Sequence, residues 1–220
     1  MITTAPHQPL FDAVENFHQP ENGYRFSTDS ILLADFVRAE GLARLADFGA
    51  GCGVVGLCAL EKGRAPQARH FFFVEQGADF QDSLAKNAAL YQKRTTAKLH
   101  ILHSDWRDVT PDDFGGPLDY VMVNPPYFTL HSGRPSRHPS ADAARRERHG
   151  SLAELLQTLA RLLAPGGRAA VMLPAARRDE LLKLLQDNGF SVERLEIIYS
   201  APGGRARLAL AEARLGAAAR

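Results

Sequence analysis

Cysteine is scarce. The 220 residues hold two, Cys52 and Cys58, too few for a disulfide framework, so a reducing cytoplasm is the expected compartment. Long apolar runs are missing as well. The stretches near Ile31–Val37 and Val171–Leu173 fall far short of the roughly 18–20 residues that a membrane-spanning helix needs. The first residues show no basic stretch followed by an apolar one, so no secretory signal is expected. Neither a Gly-x-Ser-x-Gly element nor a phosphate-cradling Walker loop occurs, which sets aside nucleophile-elbow hydrolases and P-loop nucleotidases. Metal-ligand spacing is absent too. His100 and His103 fall on opposite faces of a strand, the two cysteines lie in and after one glycine-rich turn, and no metal is expected.

Charge of one sign is not in excess, with 26 Lys+Arg against 25 Asp+Glu. The balance conceals an asymmetry. Phe128–Gly150 carries arginines 134, 137, 145, 146 and 148 against Asp142 and Glu147, a net of +3. Gly204–Arg220 carries four arginines against Glu212, again +3, which leaves −5 for the rest of a chain whose total is +1. Basic charge concentrated in two segments points to a polyanion-facing surface. The bland alternative is free use of arginine, since only five of the 26 basic residues are lysine.

A 45% hydrophobic and 23% charged composition is that of a globular chain. Apolar, strand-like runs alternate with amphipathic, helix-like ones. Asp29 or Ser30 is expected to cap a helix through Val37, followed by a strand at Arg44–Phe48 and a helix over Val54–Lys62 closed by Gly63. Arg69–Glu75 reads as a strand, Asp79–Gln92 as a helix with Phe80, Leu84, Ala88 and Tyr91 on one face, and Lys98–His103 and Leu118–Val123 as strands. Leu152–Leu163 reads as a helix stopped by Pro165-Gly166-Gly167. A strand over Arg168–Leu173, a helix over Asp179–Asn188 and a closing pair at Phe190–Ile198 and Arg207–Ala213 complete the chain. Alternation of this kind predicts one α/β domain spanning 1–220. Its sheet is doubly wound and mostly parallel, with a C-terminal antiparallel strand pair.

The glycine-rich turn Asp47-Phe48-Gly49-Ala50-Gly51-Cys52-Gly53 lies between the first strand and its helix. Glycines there let the backbone turn tightly and approach a ligand closely. Gly51-x-Gly53-x-x-Gly56 matches the dinucleotide pattern, and Glu75 lies 19 residues beyond Gly56 at a strand end, the place of a carboxylate that binds the hydroxyls of an adenosine cofactor.

Asn124-Pro125-Pro126-Tyr127 follows the fourth strand. Two prolines cannot continue a central strand, so the chain must leave the sheet at its carboxyl edge, where open α/β sheets bind ligands. The Asn124 side-chain oxygen and the Pro125 carbonyl are two acceptors on stiff backbone. Together they can hold both N–H bonds of an aromatic exocyclic amine and favour a tetrahedral nitrogen whose lone pair is available for attack. Tyr127 can stack on a base drawn out of its helix or loop. The bland alternative is a proline turn with a surface tyrosine.

Asp47 directly before a turn with an extra glycine resembles motif I of the class I S-adenosylmethionine-dependent methyltransferases. The resemblance implies a Rossmann-like fold, S-adenosylmethionine as cofactor, Asp47 orienting the methionine ammonium across Gly49, Gly51 and Gly53, and Glu75 on the ribose hydroxyls. It also implies that Asp105 accepts from the adenine amine and that Trp106 packs on the ring. Asn124–Tyr127 resembles motif IV of the amino methyltransferases acting on adenine N6, guanine N2 or a glutamine amide. The 46 residues before Asp47 are expected to leave no room for the helical domain that precedes motif I in the glutamine enzymes. Gly23–Leu33 instead resembles the pre-motif segment of the bacterial tRNA (adenine-N6)-methyltransferases that modify a valine tRNA beside its anticodon. That implies that Thr28 and Asp29, in an N-terminal segment of residues 1–30, line the cofactor pocket. It also implies that Arg134, Arg137, Arg145, Arg146 and Arg148, in a basic loop of residues 128–150, contact RNA. The expected partner is tRNA, with no membrane and a monomeric or weakly dimeric protein. An NAD-dependent oxidoreductase would share the turn and Glu75 but leave Asn124–Tyr127 unexplained. A non-catalytic RNA-binding protein would need neither Asp47 nor Asn124.

Overall fold

The computed structural model describes residues 17–21, 25–125 and 150–216. The elements run α1 (Thr28–Phe36), β1 (Arg44–Phe48), α2 (Val54–Glu61), β2 (His70–Val74), α3 (Gln81–Gln92), β3 (Lys98–Leu102) and β4 (Leu118–Val123). After the second break come α4 (Leu152–Leu162), β5 (Leu163–Pro174), α5 (Arg178–Asp187), β6 (Phe190–Tyr199) and β7 (Ala206–Leu215). The seven strands form one sheet in the order β3-β2-β1-β4-β5-β7-β6. β1 to β5 are parallel, and β7 is antiparallel to both β5 and β6. The expected doubly wound sheet and closing antiparallel pair are what the chain forms.

Both faces of the central strands are buried, and their side chains alternate between two cores. Phe71 and Phe73 of β2 join Leu33, Leu57 and Leu84 from α1, α2 and α3, while Phe72 and Val74 join Leu156, Leu159 and Leu181 from α4 and α5. Such strands read as continuous apolar runs because neither face meets water. Leu84, Ala88 and Tyr91 of α3 are buried as their spacing predicts, and so is Phe80, which lies in the 3-10 turn Ala78–Phe80 that precedes the helix.

Two expected boundaries are corrected. The cap of α1 is Ser27, whose side chain accepts from the Asp29 N–H, so Thr28 and Asp29 form the first turn and neither Asp29 nor Ser30 caps the helix. α4 starts from Ser151 in a reciprocal capping box with Glu154, but its end is not made by Pro165. The backbone turns extended at Leu163, and β5 begins there, with a register shift against β4 between Leu118 and Tyr120 that takes up the Pro165-Gly166-Gly167 stretch. At its other end β5 runs three residues past β4, whose last residue Val123 lies opposite Val171.

Candidate active site

The strand order reverses between β1 and β4, which are neighbours in the sheet but not in sequence. Their helices pack on opposite faces, so the carboxyl ends part over a crevice, the usual ligand position in open α/β sheets. Phe48 pairs with Val123, so the glycine turn and Asn124 leave adjacent strands at the same level.

The turn is held to β2 by the Gly49 and Ala50 N–H groups, which donate to the Val74 carbonyl at 2.9 and 3.2 Å. Gly49, Gly51 and Gly53 have φ of +68°, +55° and +85°, conformations costly to any side-chain-bearing residue. Among the described residues, a Cβ on Gly49 would meet nothing within 4 Å, so they leave this side of the turn open to a ligand. Gly56 is required for the opposite reason. A Cβ there would lie 2.5 Å from Phe71 Cε1, and its absence lets α2 lie directly on β2.

Two carboxylates flank the turn. Glu75 is 8% exposed. Its Oε2 accepts from the Gly51 N–H at 2.8 Å and its Oε1 from the Gly77 N–H at 2.6 Å, which orients the carboxylate at the β2 end. Asp47 is buried and accepts from the Gly56 N–H at 3.0 Å through Oδ2. Burial pushes its carboxyl up to about 7; the Gly56 bond works against that shift and the charge of Glu75 adds to it.

This buried acid has a pH signature. In the unfolded chain an aspartate loses its proton near about pH 4, whereas folded Asp47 keeps it to about 7. Between those values the native state holds a proton that the unfolded state has released. The group's stabilisation is thus present below about pH 4 and lost as pH rises through about 7. Asp47→Asn carries no such proton and keeps an acceptor for Gly56. Urea unfolding at pH 8 should find the variant at least as stable as the wild type, with the difference shrinking toward pH 4. Parallel pH profiles of the two proteins would remove Asp47 as the titrating group.

Across the crevice, Asn124 is half-buried, and its Nδ2 donates to Ser30 Oγ at 3.4 Å. Ser30 is itself buried, one residue beyond Asp29 in the first turns of α1. α1 thus brings its exposed Thr28 and half-buried Asp29 to the same edge. Asp105 follows β3, tied to the β2 end by the Glu75 N–H donating to the Leu102 carbonyl at 3.0 Å. Its carboxylate is grasped by Arg107, through the backbone N–H at 2.9 Å and the guanidinium at 2.5–3.1 Å. The Arg107 guanidinium also lies 5.8 Å from the Trp106 ring centre. Trp106 packs so tightly on Gly150 that a Cβ there would fall 2.5 Å from the indole. Pro125 is half-buried. Pro126, Tyr127, Arg134, Arg137, Arg145, Arg146 and Arg148 lie outside the described residues.

Three side chains that organise the site escape sequence reading. Asn87 of α3 is fully buried, donates to the carbonyls of Cys52 (2.8 Å) and His18 (2.9 Å), and accepts from the His18 N–H (2.8 Å), so it clasps the turn to the preceding segment. A polar residue between Leu84 and Tyr91 on an apolar helix face is the signal that could have found it. Ser30 acts through a contact 94 residues away and Arg107 through a local grip on Asp105, and neither leaves a pattern. Cys52 is buried, which pushes its thiol up to about 12 and makes it a packing residue rather than a nucleophile. The described histidines bring one surprise, a His70–His100 stack with Nδ1 and Nε2 3.1 Å apart on β2 and β3. Among the described residues no three His, Cys, Asp or Glu side chains gather as a metal site, and no helix is long and apolar enough to cross a membrane.

No protein-family model matches the chain. It is 29% identical over 180 residues to the tRNA1(Val) (adenine(37)-N6)-methyltransferase of Shewanella frigidimarina, covering 80% of this chain and 69% of that protein. To the protein of that name from Tolumonas auensis it is 29% identical over 188 residues, 82% of this chain and 73% of the relative. Among solved structures it resembles a predicted O-methyltransferase from Agrobacterium tumefaciens (TM-score 0.63, 21% identity, 87% of this chain and 83% of that one). It also resembles the magnesium protoporphyrin IX methyltransferase of Synechocystis, solved with bound S-adenosylmethionine (TM-score 0.54, 17% identity, 86% and 76%). The chain therefore has the Rossmann-like methyltransferase fold, and its sequence relatives include tRNA1(Val) (adenine(37)-N6)-methyltransferases.

Proposed function

We propose that this protein is an S-adenosylmethionine-dependent methyltransferase acting on the N6 amine of an adenine in tRNA, the adenine beside the anticodon of tRNA1(Val). The observation that carries the reading is the position of Asn124, at the end of β4 and level with the Asp47 turn, in a chain whose relatives bear that name.

The residues present fit the cofactor. The open side of Gly49 leaves room at the turn. Glu75, oriented by two N–H groups, serves the ribose hydroxyls, and buried Asp47 is stabilised as a carboxylate by a neighbouring ammonium. Thr28 and Asp29 close the methionine end, while Asp105 and Trp106 serve the adenine. Because Arg107 already holds Asp105, that carboxylate accepts a further N–H from a fixed orientation. When bound, S-adenosylmethionine supplies an electrophilic methyl on a sulfonium centre.

Adenine N6 is a weak nucleophile because its lone pair is delocalised into the ring. With Nδ2 committed to Ser30, the Asn124 amide presents its Oδ1 end to one N–H of the amine, and the Pro125 carbonyl takes the other. Two acceptors draw the nitrogen toward tetrahedral geometry, a gain from positioning that needs no strong base. The extra proton leaves after methylation, when the nitrogen has become acidic. Pro126 stiffens the turn, and Tyr127 stacks on the extruded base.

Incubating the protein with labelled S-adenosylmethionine and an unmodified tRNA1(Val) transcript, followed by nucleoside mass spectrometry, tests the assignment. N6-methyladenosine at the position beside the anticodon is expected. N2-methylguanosine, or label in protein rather than RNA, would replace it with one of the other amino-acceptor readings. The arginines of residues 128–150 are assigned to tRNA phosphates. Replacing Arg145, Arg146 and Arg148 by alanine should flatten the salt dependence of tRNA binding by about 0.7 log unit per single-strand contact. An unaltered slope would remove that segment from the interface.

A further inference from the structure

The basic C-terminal segment is divided by the fold. β7 pairs antiparallel with β5, Leu208 opposite Pro174 and Ala209 opposite Leu173, so the β6–β7 hairpin projects beyond the carboxyl end of β5. That is the edge on which the glycine turn and Asn124 lie. Arg205 and Arg207 are carried to it. Arg214, seven residues further along the strand and so roughly 24 Å away, lies at the opposite edge and pairs with Glu193.

The hairpin is closed tightly. The Ser200 N–H donates to the Arg205 carbonyl at 3.0 Å and the Gly204 N–H to the Ala201 carbonyl at 2.8 Å. On this support stand exposed Arg205 and the half-exposed Arg207 side chain, while Tyr199, next to Ile198 of the α1-side core, turns to the α5 side of the sheet. Arg178, at the start of α5, comes to the same edge and is paired with Asp179. Arg205 makes no ion pair among the described residues. Arg207 reaches Asp29 Oδ1 at 3.4 Å, and the next residue of α1, Ser30, holds Asn124. Two short contacts therefore separate an exposed guanidinium from the amide assigned to the acceptor amine. The contact uses one terminal nitrogen of Arg207, which leaves the other N–H groups of the half-exposed guanidinium for a phosphate.

We propose that the β6–β7 hairpin is a second RNA-binding surface, at which Arg205 and Arg207 take backbone phosphates of the strand flanking the target nucleotide. The proposal rests on the reading of the substrate as RNA. Its chemistry is that of backbone binding, two exposed guanidinium groups two residues apart at the edge where the target base must enter. The hairpin approaches from the β5 side of the crevice, so it fixes the orientation of the strand independently of residues 128–150.

The test is binding of an unmodified tRNA1(Val) transcript to the full chain across about 50–200 mM KCl, with S-adenosylhomocysteine present throughout. Arg205→Ala/Arg207→Ala should flatten the slope of log affinity against log salt by about 1.4 and weaken binding roughly tenfold at the low-salt end. Arg205→Ala alone, which breaks no ion pair, should account for about half of the slope change. Arg214→Ala should match the wild type. Unchanged slope in the double variant, or an equal loss in Arg214→Ala, would overturn the proposal, the latter by showing that only total charge matters. Either result, with wild-type methylation intact, leaves the proposed activity standing. A wild-type protein that neither binds nor methylates the transcript would remove both.

Discussion

Asn124→Ala is expected to lower single-turnover methylation by about 10²–10³-fold, the usual loss when one preorganised polar group at a reacting centre is removed. Cofactor affinity should fall by no more than a few fold. The asymmetry follows from when the contact matters. A planar ground-state amine is held adequately by the Pro125 carbonyl and by stacking, whereas a nitrogen moving toward tetrahedral geometry needs both acceptors. An interaction made mainly in the transition state lowers kcat rather than binding. Loss of the 3.4 Å contact to Ser30 is a minor structural cost, since a typical hydrogen bond contributes about 1 kcal/mol net. Ser30→Ala provides the complementary case, leaving the acceptor in place but its orientation less constrained, and an intermediate loss of about tenfold or less is expected. Single-turnover rates near wild type in Asn124→Ala would make this residue a turn former and nothing more.

The fold and the glycine-rich turn were legible because both are written in local chemistry. β2 could be read from Phe71-Phe72-Phe73-Val74 because a strand buried on both faces shows an unbroken apolar run. The Asp47 turn could be read because positive φ at Gly49, Gly51 and Gly53 excludes nearly every other residue. The start of β5 was not legible. Pro165-Gly166-Gly167 carries the ordinary signals of a helix stop and loop, and only pairing with β4 across a register shift makes strand of it. The partners of the functional groups were hidden for the same reason. That Ser30 meets Asn124 and that Arg207 reaches Asp29 are consequences of sheet order, separated in sequence by 94 and 178 residues. Asp105–Arg107 shows that even a short separation is no guide when both residues are charged and no period relates them. The basic C-terminal segment is the clearest case. In sequence it is one basic segment, and in the fold Arg205 and Arg207 stand at one edge of the sheet and Arg214 at the other.

Glu75→Ala should weaken S-adenosylmethionine binding at least about a hundredfold, because two charge-assisted bonds to ribose hydroxyls, each contributing about 1.5–3 kcal/mol, go together. The structure adds a second effect that the sequence did not suggest. Glu75 also accepts from the N–H groups of Gly51 and Gly77, so its removal leaves two backbone donors at the turn without this carboxylate. Water reaches them more readily than it would in a sealed core, yet a cost of about 1–3 kcal/mol to the free protein is expected, seen as a melting temperature lower by several degrees. Glu75→Gln separates the two effects only in part. Its amide oxygen can keep one of the N–H groups, but its NH2 meets the other as donor against donor, so affinity should stay far below wild type. Glu75→Asp keeps the charge on a side chain one methylene shorter, and should recover some turn stability but little ribose binding. Calorimetry on the three variants, read beside their thermal unfolding, distinguishes a carboxylate that holds the cofactor from one that merely holds the turn. If affinity followed stability across the series, with each variant binding normally at a temperature where it is folded, Glu75 would be a structural acceptor and the ribose would need another partner.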